Sequence, residues 1–202
     1  MTLANRITMG RMGLSLGIFA LIIANQLWAE LLGLFLLTIA SVSDGIDGAI
    51  ARRTKTTTSF GAIADPYADK ILVMAVFLAF ASLRELAIPL WAVFLILLRE
   101  LTISTLRVLA ALNGEVMKAE SSGKIKTTIQ LIAAFTILVL LILKIWARTR
   151  YLPPPLDIFP GLTADIAWWL TVIAAAFTLI SGFMYLHGHR ALLYKSWTER
   201  KR

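Results

Sequence analysis

Four carboxylates occur in stretches of this sequence that are otherwise apolar. Asp44 and Asp47 are three residues apart, and Asp65 and Asp69 are four residues apart. If both stretches are helical, each pair lies on one face of its helix. The connection between the stretches is short, so the two helices are expected to be antiparallel neighbours whose acids face a common cavity at the cytoplasmic side. A charged group in the hydrocarbon of a membrane costs on the order of 3 kcal/mol or more. Close packing of helices requires small residues and no charge, so the four acids are candidates for a functional site.

The chemistry that suits four such carboxylates is metal-assisted. In a pocket of low dielectric constant they would repel one another, and divalent cations relieve that repulsion. Ligand sets made only of oxygen favour hard ions such as Mg²⁺ or Mn²⁺. Two ions suit a displacement at phosphorus, because both the attacking and the leaving oxygen need charge stabilisation. The aspartates therefore predict a site for two Mg²⁺ or Mn²⁺ ions.

Small residues accompany the acids and would make room for a ligand. Gly48 lies on the same helical stripe as Arg52, and Gly61 precedes Asp65 by one turn. A missing side chain lets a bulky polar ligand approach the backbone, and Ala51 is small for the same reason. Arg52 would place a cation beside a phosphate group.

The composition predicts that membrane helices position these residues. The chain has 202 residues, of which 58% are hydrophobic and 16% are charged, whereas soluble domains carry about a quarter charged residues. Several apolar stretches reach the roughly 20 residues that a helix needs to cross a bilayer. The sequence therefore predicts an all-α, polytopic membrane helix bundle in one domain, residues 1–202. Its six transmembrane helices are expected at residues 7–28, 31–52, 63–83, 88–112, 124–146 and 164–187.

The distribution of charge predicts the orientation of the bundle. Most lysines and arginines outside the spans fall on the side of the two termini, which the positive-inside rule places in the cytoplasm. The net charge of +8 is then explained by topology and by attraction to anionic lipid. Nucleic-acid binding is not expected, because the basic residues do not form a face on a soluble module. The proline-rich stretch from Arg148 to Thr163 is expected to be an external linker.

The acids and their neighbours together form a motif with a known likeness. They read D-x2-D-G-x2-A-R-x8-G-x3-D-x3-D, which resembles the signature of the CDP-alcohol phosphotransferase family at every fixed position. The fixed positions are Asp44, Asp47, Gly48, Ala51, Arg52, Gly61, Asp65 and Asp69.

The resemblance implies a role for each of these residues. Asp44, Asp47 and Asp65 would be metal ligands, and Asp69 would be the general base that also borders the metal site. The first span lacks the proline that is usual in the opening motif of the family. The residues implied in binding CDP-diacylglycerol are Gly48, Ala51, Arg52, Thr58, Gly61, Asn5, Thr8 and Arg11.

A second resemblance narrows the choice of acceptor substrate. Residues 65–70 read D-P-Y-A-D-K and residues 123–127 read G-K-I-K-T, which is similar to the branch of the family that uses sn-glycerol 3-phosphate. Arg107, Lys124 and Lys126 are expected at the cytoplasmic side, where they would bind the phosphate of the acceptor. By spacing alone the two lysines fit equally well as ordinary positive-inside charges.

Helical spacing adds an expectation about the fourth span. Glu100, Ser104 and Arg107 share one stripe at helical spacing, and Arg107 is expected in the cytoplasmic half of the span. Arg99 and Glu100 fit either a structural ion pair within the membrane or a part of the site.

The resemblance implies a transfer reaction with several open alternatives. The expected reaction moves a phosphatidyl group from CDP-diacylglycerol to a small phosphorylated alcohol, sn-glycerol 3-phosphate, and releases CMP. Rivals of the same fold are cardiolipin synthases and phosphatidylinositol-phosphate synthases. A cation-coupled transporter would also bury carboxylates, but the repeats and broken helices typical of that class are not visible in the sequence. The family further implies a homodimer in the bacterial inner membrane, with the active site facing the cytoplasm.

Overall fold

The computed structural model of the chain describes residues 3–54, 59–112, 121–149 and 159–190. Some side chains within these segments lie outside the description, and many of them belong to the acidic motif. They are the side chains of residues 3–8, 44–54, 59–66, 68–69, 112, 121–122, 149 and 159–160.

The described residues form six α-helices and one short 3₁₀ turn. Their bounds are α1 Leu3–Ala24, α2 Leu27–Thr54, α3 Ser59–Ser82, the 3₁₀ turn Arg84–Leu86, α4 Leu90–Leu112, α5 Ser121–Thr149 and α6 Phe159–Gly188. Each predicted span overlaps one of these helices, so the prediction of an all-α fold is confirmed for the described part of the chain. The crossing of a membrane by all six helices, and the side on which the termini lie, stay predictions.

Two predicted boundaries were wrong, each for a local reason. The stretch from Arg148 to Thr163 is partly helical, because α5 continues to Thr149 and α6 begins at Phe159. Pro160 lies in the first turn of α6, where the missing amide hydrogen is tolerated. Helix α1 ends at residue 24 and not at residue 28, because Asn25 adopts a φ of 50°, a left-handed conformation that asparagine tolerates and that stops a helix.

The surface and the interior have the distribution expected of a membrane protein. Among the described residues, the segments Gly123–Arg148 and Gly161–Gly188 are long and apolar enough to cross a bilayer. Large apolar side chains point outward along the helices, including Leu16, Phe35, Phe94, Ile132 and Phe183. Polar and charged side chains are buried inside, including Glu100, Ser104, Lys126, Gln130 and Thr178. A soluble protein has the opposite tendency, and intramembrane polar groups characteristically face the interior of a bundle.

Helix packing creates one apolar core and one polar interior. Helix α1 packs against both α2 and α3, while α6 packs against both α4 and α5. The rings of Phe77 and Phe80 meet edge to face with centroids 6.4 Å apart. Both rings are fully buried in the core together with Ile96 and Leu138. The direct pairing of α2 with α3 through their acidic ends stays a prediction.

Glu85 ties together the end of the bundle that holds the 3₁₀ turn. Asn25 Nδ2 donates to Glu85 Oε1 at 2.7 Å, and Lys144 Nζ donates to the Glu85 carbonyl at 2.8 Å. Arg148 forms an ion pair with the same carboxylate. These contacts join the α1–α2 turn to the last turns of α5, at the end of the bundle opposite the Tyr67–Thr105 contact.

Candidate active site

A contact between α3 and α4 fixes the level of the acidic segment in the bundle. The hydroxyl of Tyr67 lies 3.3 Å from the hydroxyl of Thr105. Tyr67 stands between Asp65 and Asp69 in the sequence. The backbone of this α3 segment therefore lies beside the second half of α4, at the end of the bundle opposite Glu85.

A set of buried and half-buried side chains from α4, α5 and α6 lies at the same end, and we refer to it as the polar network. Its members are Arg99, Glu100, Arg107, Lys126, Gln130, Thr178, Ser181 and Tyr185.

Glu100 is the centre of the polar network. Its side chain is 1% exposed, and it forms an ion pair with Lys126, which is 4% exposed. Gln130 Nε2 lies 3.3 Å from the same oxygen of Glu100 and donates to Thr178 Oγ1 at 2.9 Å. The hydroxyl of Thr178 donates its own hydrogen bond to the Ala174 carbonyl. These bonds join α4, α5 and α6 through side chains that are removed from solvent.

Arg99 occupies a narrow space between α4 and α6. Its Nη2 donates to Ser181 Oγ at 3.0 Å, and its Nη1 lies 3.7 Å from Glu100 Oε2. A Cβ atom at Gly182 would lie 2.8 Å from Arg99 Cγ. Position 182 therefore has to be glycine if Arg99 is to keep this course, and the two helices can approach closely there.

Arg107 is bound to a neutral partner. Its Nε donates to the hydroxyl of Tyr185 at 3.0 Å, and its guanidinium carbon lies 4.9 Å from the centre of that ring. Tyr185 is 2% exposed, whereas Arg107 is half-buried. A tyrosine hydroxyl and ring hold a guanidinium in place without cancelling its charge.

The charges at this end of the bundle do not balance among the described residues. Lys70 of α3 interacts electrostatically with both Glu100 and Lys126, and Arg107 interacts with Arg99. Among the described side chains, three cations therefore lie around Glu100, and Arg107 lies beside one of them, Arg99. Buried cations of this kind require anionic partners, and they suit a ligand that carries phosphate.

The expected stripe on α4 is confirmed. Glu100 and Ser104 are buried, and Arg107 reaches inward to the buried Tyr185. The corresponding stripe on α6 was missed, although Thr178, Ser181 and Tyr185 recur at helical spacing in a helix that is otherwise apolar. That periodicity was the available signal.

The residues expected to bind the acceptor phosphate are not grouped as the sequence suggested. Lys126 is directed to Glu100, whereas Lys124 is exposed. Residues two apart on a helix do not share a face, so the expected cluster of both lysines with Arg107 is not what the described residues form. Their roles in binding phosphate remain predictions.

The residues expected to hold metal and donor substrate are described only through their backbone or not at all. Thr58 lies outside the described residues. Arg11 lies half-buried on α1, and its carbonyl accepts a hydrogen bond from Ser15 at 2.8 Å. The remaining predicted residues lie on described helices but have side chains outside the description, namely Asn5, Thr8, Asp44, Asp47, Gly48, Ala51, Arg52, Gly61, Asp65 and Asp69.

Replacing Glu100 by leucine should destabilise the fold strongly, because Lys126 would remain buried without its counter-charge. Breaking a buried ion pair from one side costs about 3–5 kcal/mol. For a chain of this size that loss corresponds to a fall in melting temperature of about 6–20 °C, measurable by thermal denaturation in detergent.

The double variant Glu100→Leu with Lys126→Met should recover part of this stability, because the buried ammonium group is removed together with its counter-charge, while Arg99 keeps its hydrogen bond to Ser181. Lys124→Met is the matched control and should leave the melting temperature unchanged, since that lysine is exposed. A double variant as unstable as the single one would show that the pair is not what stabilises this end of the bundle.

Known proteins resemble the chain over most of its length. Residues 1–180 match the CDP-alcohol phosphatidyltransferase family. A CDP-diacylglycerol–glycerol-3-phosphate 3-phosphatidyltransferase of Bacillus subtilis (strain 168) is 36% identical over 195 residues, which cover 91% of this chain and 92% of the relative. A protein of the same name from Pectobacterium atrosepticum is 37% identical, with 81% of each chain covered. A probable phosphatidylglycerophosphate synthase of Mycobacterium tuberculosis is 40% identical over 46% of this chain and 44% of its own length.

Proposed function

The chain belongs to the CDP-alcohol phosphatidyltransferase family, and we propose that it transfers the phosphatidyl group of CDP-diacylglycerol to sn-glycerol 3-phosphate. The products would be phosphatidylglycerol phosphate and CMP. The acceptor is the one in the names of relatives that cover most of the chain. The observation that carries the proposal is that the described cations of α3, α4 and α5 meet at the end of the bundle where the Asp65–Asp69 segment lies. Cations beside a segment rich in carboxylates suit substrates that are phosphate esters.

We propose that the four motif aspartates hold two Mg²⁺ or Mn²⁺ ions. Helix α2 is continuous through Asp44 and Asp47, and α3 is continuous through Asp65 and Asp69. Each pair therefore shares a helical face, and carboxylate oxygens are the donors that these hard cations prefer. When bound, such ions would supply charge stabilisation at the phosphorus under attack and at the departing phosphate.

The residues of the chain account for binding and proton transfer in this reaction. Asp69 would accept the proton of the primary hydroxyl of the acceptor, which is a weak nucleophile at neutral pH. The resulting oxygen attacks the phosphorus that carries the diacylglycerol, and CMP leaves. Arg52 would bind the phosphates of the donor. The small residues Gly48, Ala51 and Gly61, together with Thr58 and the first-helix residues Asn5, Thr8 and Arg11, would admit and hold its cytidine diphosphate.

We also propose how the enzyme sits in the cell. The acyl tails of the donor would remain in the lipid, and the headgroup would enter from the cytoplasmic face of a bacterial inner membrane. All six helices would span that membrane with both termini inside, since this arrangement places most of the lysines and arginines in the cytoplasm. A homodimer of the single-domain chain follows the expectation for the family.

The experiment that tests the proposed function is an acceptor screen with the purified protein in detergent. CMP release from CDP-diacylglycerol is measured with glycerol 3-phosphate, inositol phosphate, phosphatidylglycerol or serine as acceptor. We expect CMP release and a phosphatidylglycerol phosphate product with glycerol 3-phosphate. Preference for phosphatidylglycerol would identify a cardiolipin synthase, and preference for inositol phosphate would identify the inositol branch. A protein that releases no CMP with any acceptor would contradict the transferase proposal.

A further inference from the structure

Lys70 is the cation at the candidate site whose charge is least accounted for. Its side chain is partly buried on α3 and interacts electrostatically with Glu100 and Lys126. Among the described side chains, its ammonium group forms neither a hydrogen bond nor an ion pair. Glu100 does not neutralise the charge of Lys70 fully, because that carboxylate is already bound by Lys126 and Gln130.

The register of α3 and α4 places Lys70 beside the polar network. Tyr67 contacts Thr105, and Lys70 is three residues further along α3, or about 4.5 Å along the helix axis. A short connection joins the two helices, so α4 runs in the opposite direction. Moving on by one turn from Tyr67 corresponds to moving back by about one turn from Thr105, toward Glu100. The helical register therefore agrees with the electrostatic interaction between Lys70 and Glu100.

The acids of the motif on α3 are not natural partners for Lys70. Asp69 is the adjacent residue, and adjacent residues on a helix do not face each other. The helical neighbours of Lys70 on its own face are Pro66, Tyr67, Val73 and Met74, and none of them is acidic. By helical spacing, Lys70 thus lies on a face of α3 different from that of Asp65 and Asp69, while its charge requires an anionic partner in a setting of low dielectric constant.

We propose that Lys70 binds the phosphate of the acceptor together with Arg107, in the role that the family resemblance had suggested for Lys126. This inference rests on the proposed function, because it takes the acceptor to be a phosphate monoester. Lys126 is engaged with Glu100, whereas the partner of Arg107 within the described part of the chain is the neutral Tyr185. Among the side chains that the structure describes, Lys70 and Arg107 therefore have no carboxylate of their own near the segment that carries Asp69.

Steady-state kinetics of Lys70→Gln test the proposal. A charge-assisted hydrogen bond contributes about 1.5–3 kcal/mol, so the Michaelis constant for glycerol 3-phosphate should rise roughly 10- to 150-fold at 1.4 kcal/mol per decade. The constant for CDP-diacylglycerol should change by less than about twofold, which is under 0.5 kcal/mol. Lys70→Arg should recover part of the acceptor affinity, because it restores the charge. Arg84→Gln removes an exposed cation from the opposite end of the bundle and should leave both constants unchanged.

Three results would overturn the assignment. An unchanged acceptor constant would show that Lys70 does not reach the phosphate. A rise confined to CDP-diacylglycerol would place the lysine in the donor site. Equal loss in Lys70→Gln and Lys70→Arg, with a lower melting temperature in both, would show a structural role.

Calorimetric titration of glycerol 3-phosphate into the purified protein, without the donor, separates this proposal from the proposed function. If the wild-type protein turns over glycerol 3-phosphate and Lys70→Gln binds it equally well, only the role of Lys70 fails. If the wild-type protein neither binds nor uses glycerol 3-phosphate, the proposed acceptor fails and the assignment of Lys70 fails with it. Binding that is present in the wild type and lost in Lys70→Gln supports the assignment.

Discussion

Replacing Asp65 by asparagine should abolish phosphatidyl transfer, and chelation of divalent cations should abolish it reversibly. The asparagine keeps the size of the side chain but removes the charge that a Mg²⁺ or Mn²⁺ ligand supplies. We expect no CMP release in EDTA, full recovery on addition of Mg²⁺ or Mn²⁺, and no recovery in the variant at the same metal concentration. Metal-dependent binding of CDP-diacylglycerol should be lost in Asp65→Asn, and also in Asp44→Asn on α2.

Asp165→Asn is the matched control for this experiment. Asp165 is exposed near the start of α6, so the same loss of one carboxylate should leave activity and metal dependence unchanged. Full turnover in EDTA would refute the two-ion proposal, because the four acids would then need another explanation for their presence in apolar helices.

Helical spacing in the sequence was sufficient to predict which residues of one helix share a face. Glu100, Ser104 and Arg107 share one face of α4 as expected, because the 3.6-residue period fixes which residues of a helix lie together. Burial of polar residues was predictable in the same way, since an ionisable group in an apolar helix avoids lipid. Both inferences need only local geometry and the cost of desolvation.

The choice of partner between helices could not be predicted from spacing. Lys126 could meet either a substrate phosphate or a protein carboxylate, and both satisfy a buried ammonium group. In the structure Lys126 pairs with Glu100 of α4, which is 26 residues earlier in the chain. One turn further along α5, Gln130 contacts both Glu100 and Thr178 of α6. That arrangement depends on the packing of three helices, which the periodic pattern of one helix does not predict.

The same limit explains why the sequence pattern assigned Lys70 no role beyond its place in the D-P-Y-A-D-K motif. Its position next to Asp69 gives no information about its direction, whereas the Tyr67–Thr105 contact shows which part of α4 its face meets.

The predicted bounds of the linker, residues 148–163, were wrong for a different reason. Proline and glycine at residues 160 and 161 mark loops in general, yet proline is also favoured in the first turn of a helix, and the sequence does not distinguish the two.

Replacing Asp69 by asparagine should lower turnover by roughly 10²–10⁴-fold, the range for loss of a positioned proton acceptor. The acceptor hydroxyl is a poor nucleophile without a base, so the chemical step should suffer while both substrates still bind. Single-turnover measurement of CMP release with saturating substrates reports that step. Equilibrium binding of CDP-diacylglycerol to the same preparation reports the donor site.

The comparison with Asp44→Asn decides what Asp69 does. If Asp69 is mainly the base, CDP-diacylglycerol affinity should fall far less in Asp69→Asn than in Asp44→Asn, because three carboxylates would still hold the ions. Equal losses of donor binding in the two variants would show that Asp69 is primarily a metal ligand, and proton acceptance would have to be assigned elsewhere. A near-normal turnover in Asp69→Asn would remove the base from the proposed mechanism altogether, since asparagine cannot accept the proton at neutral pH.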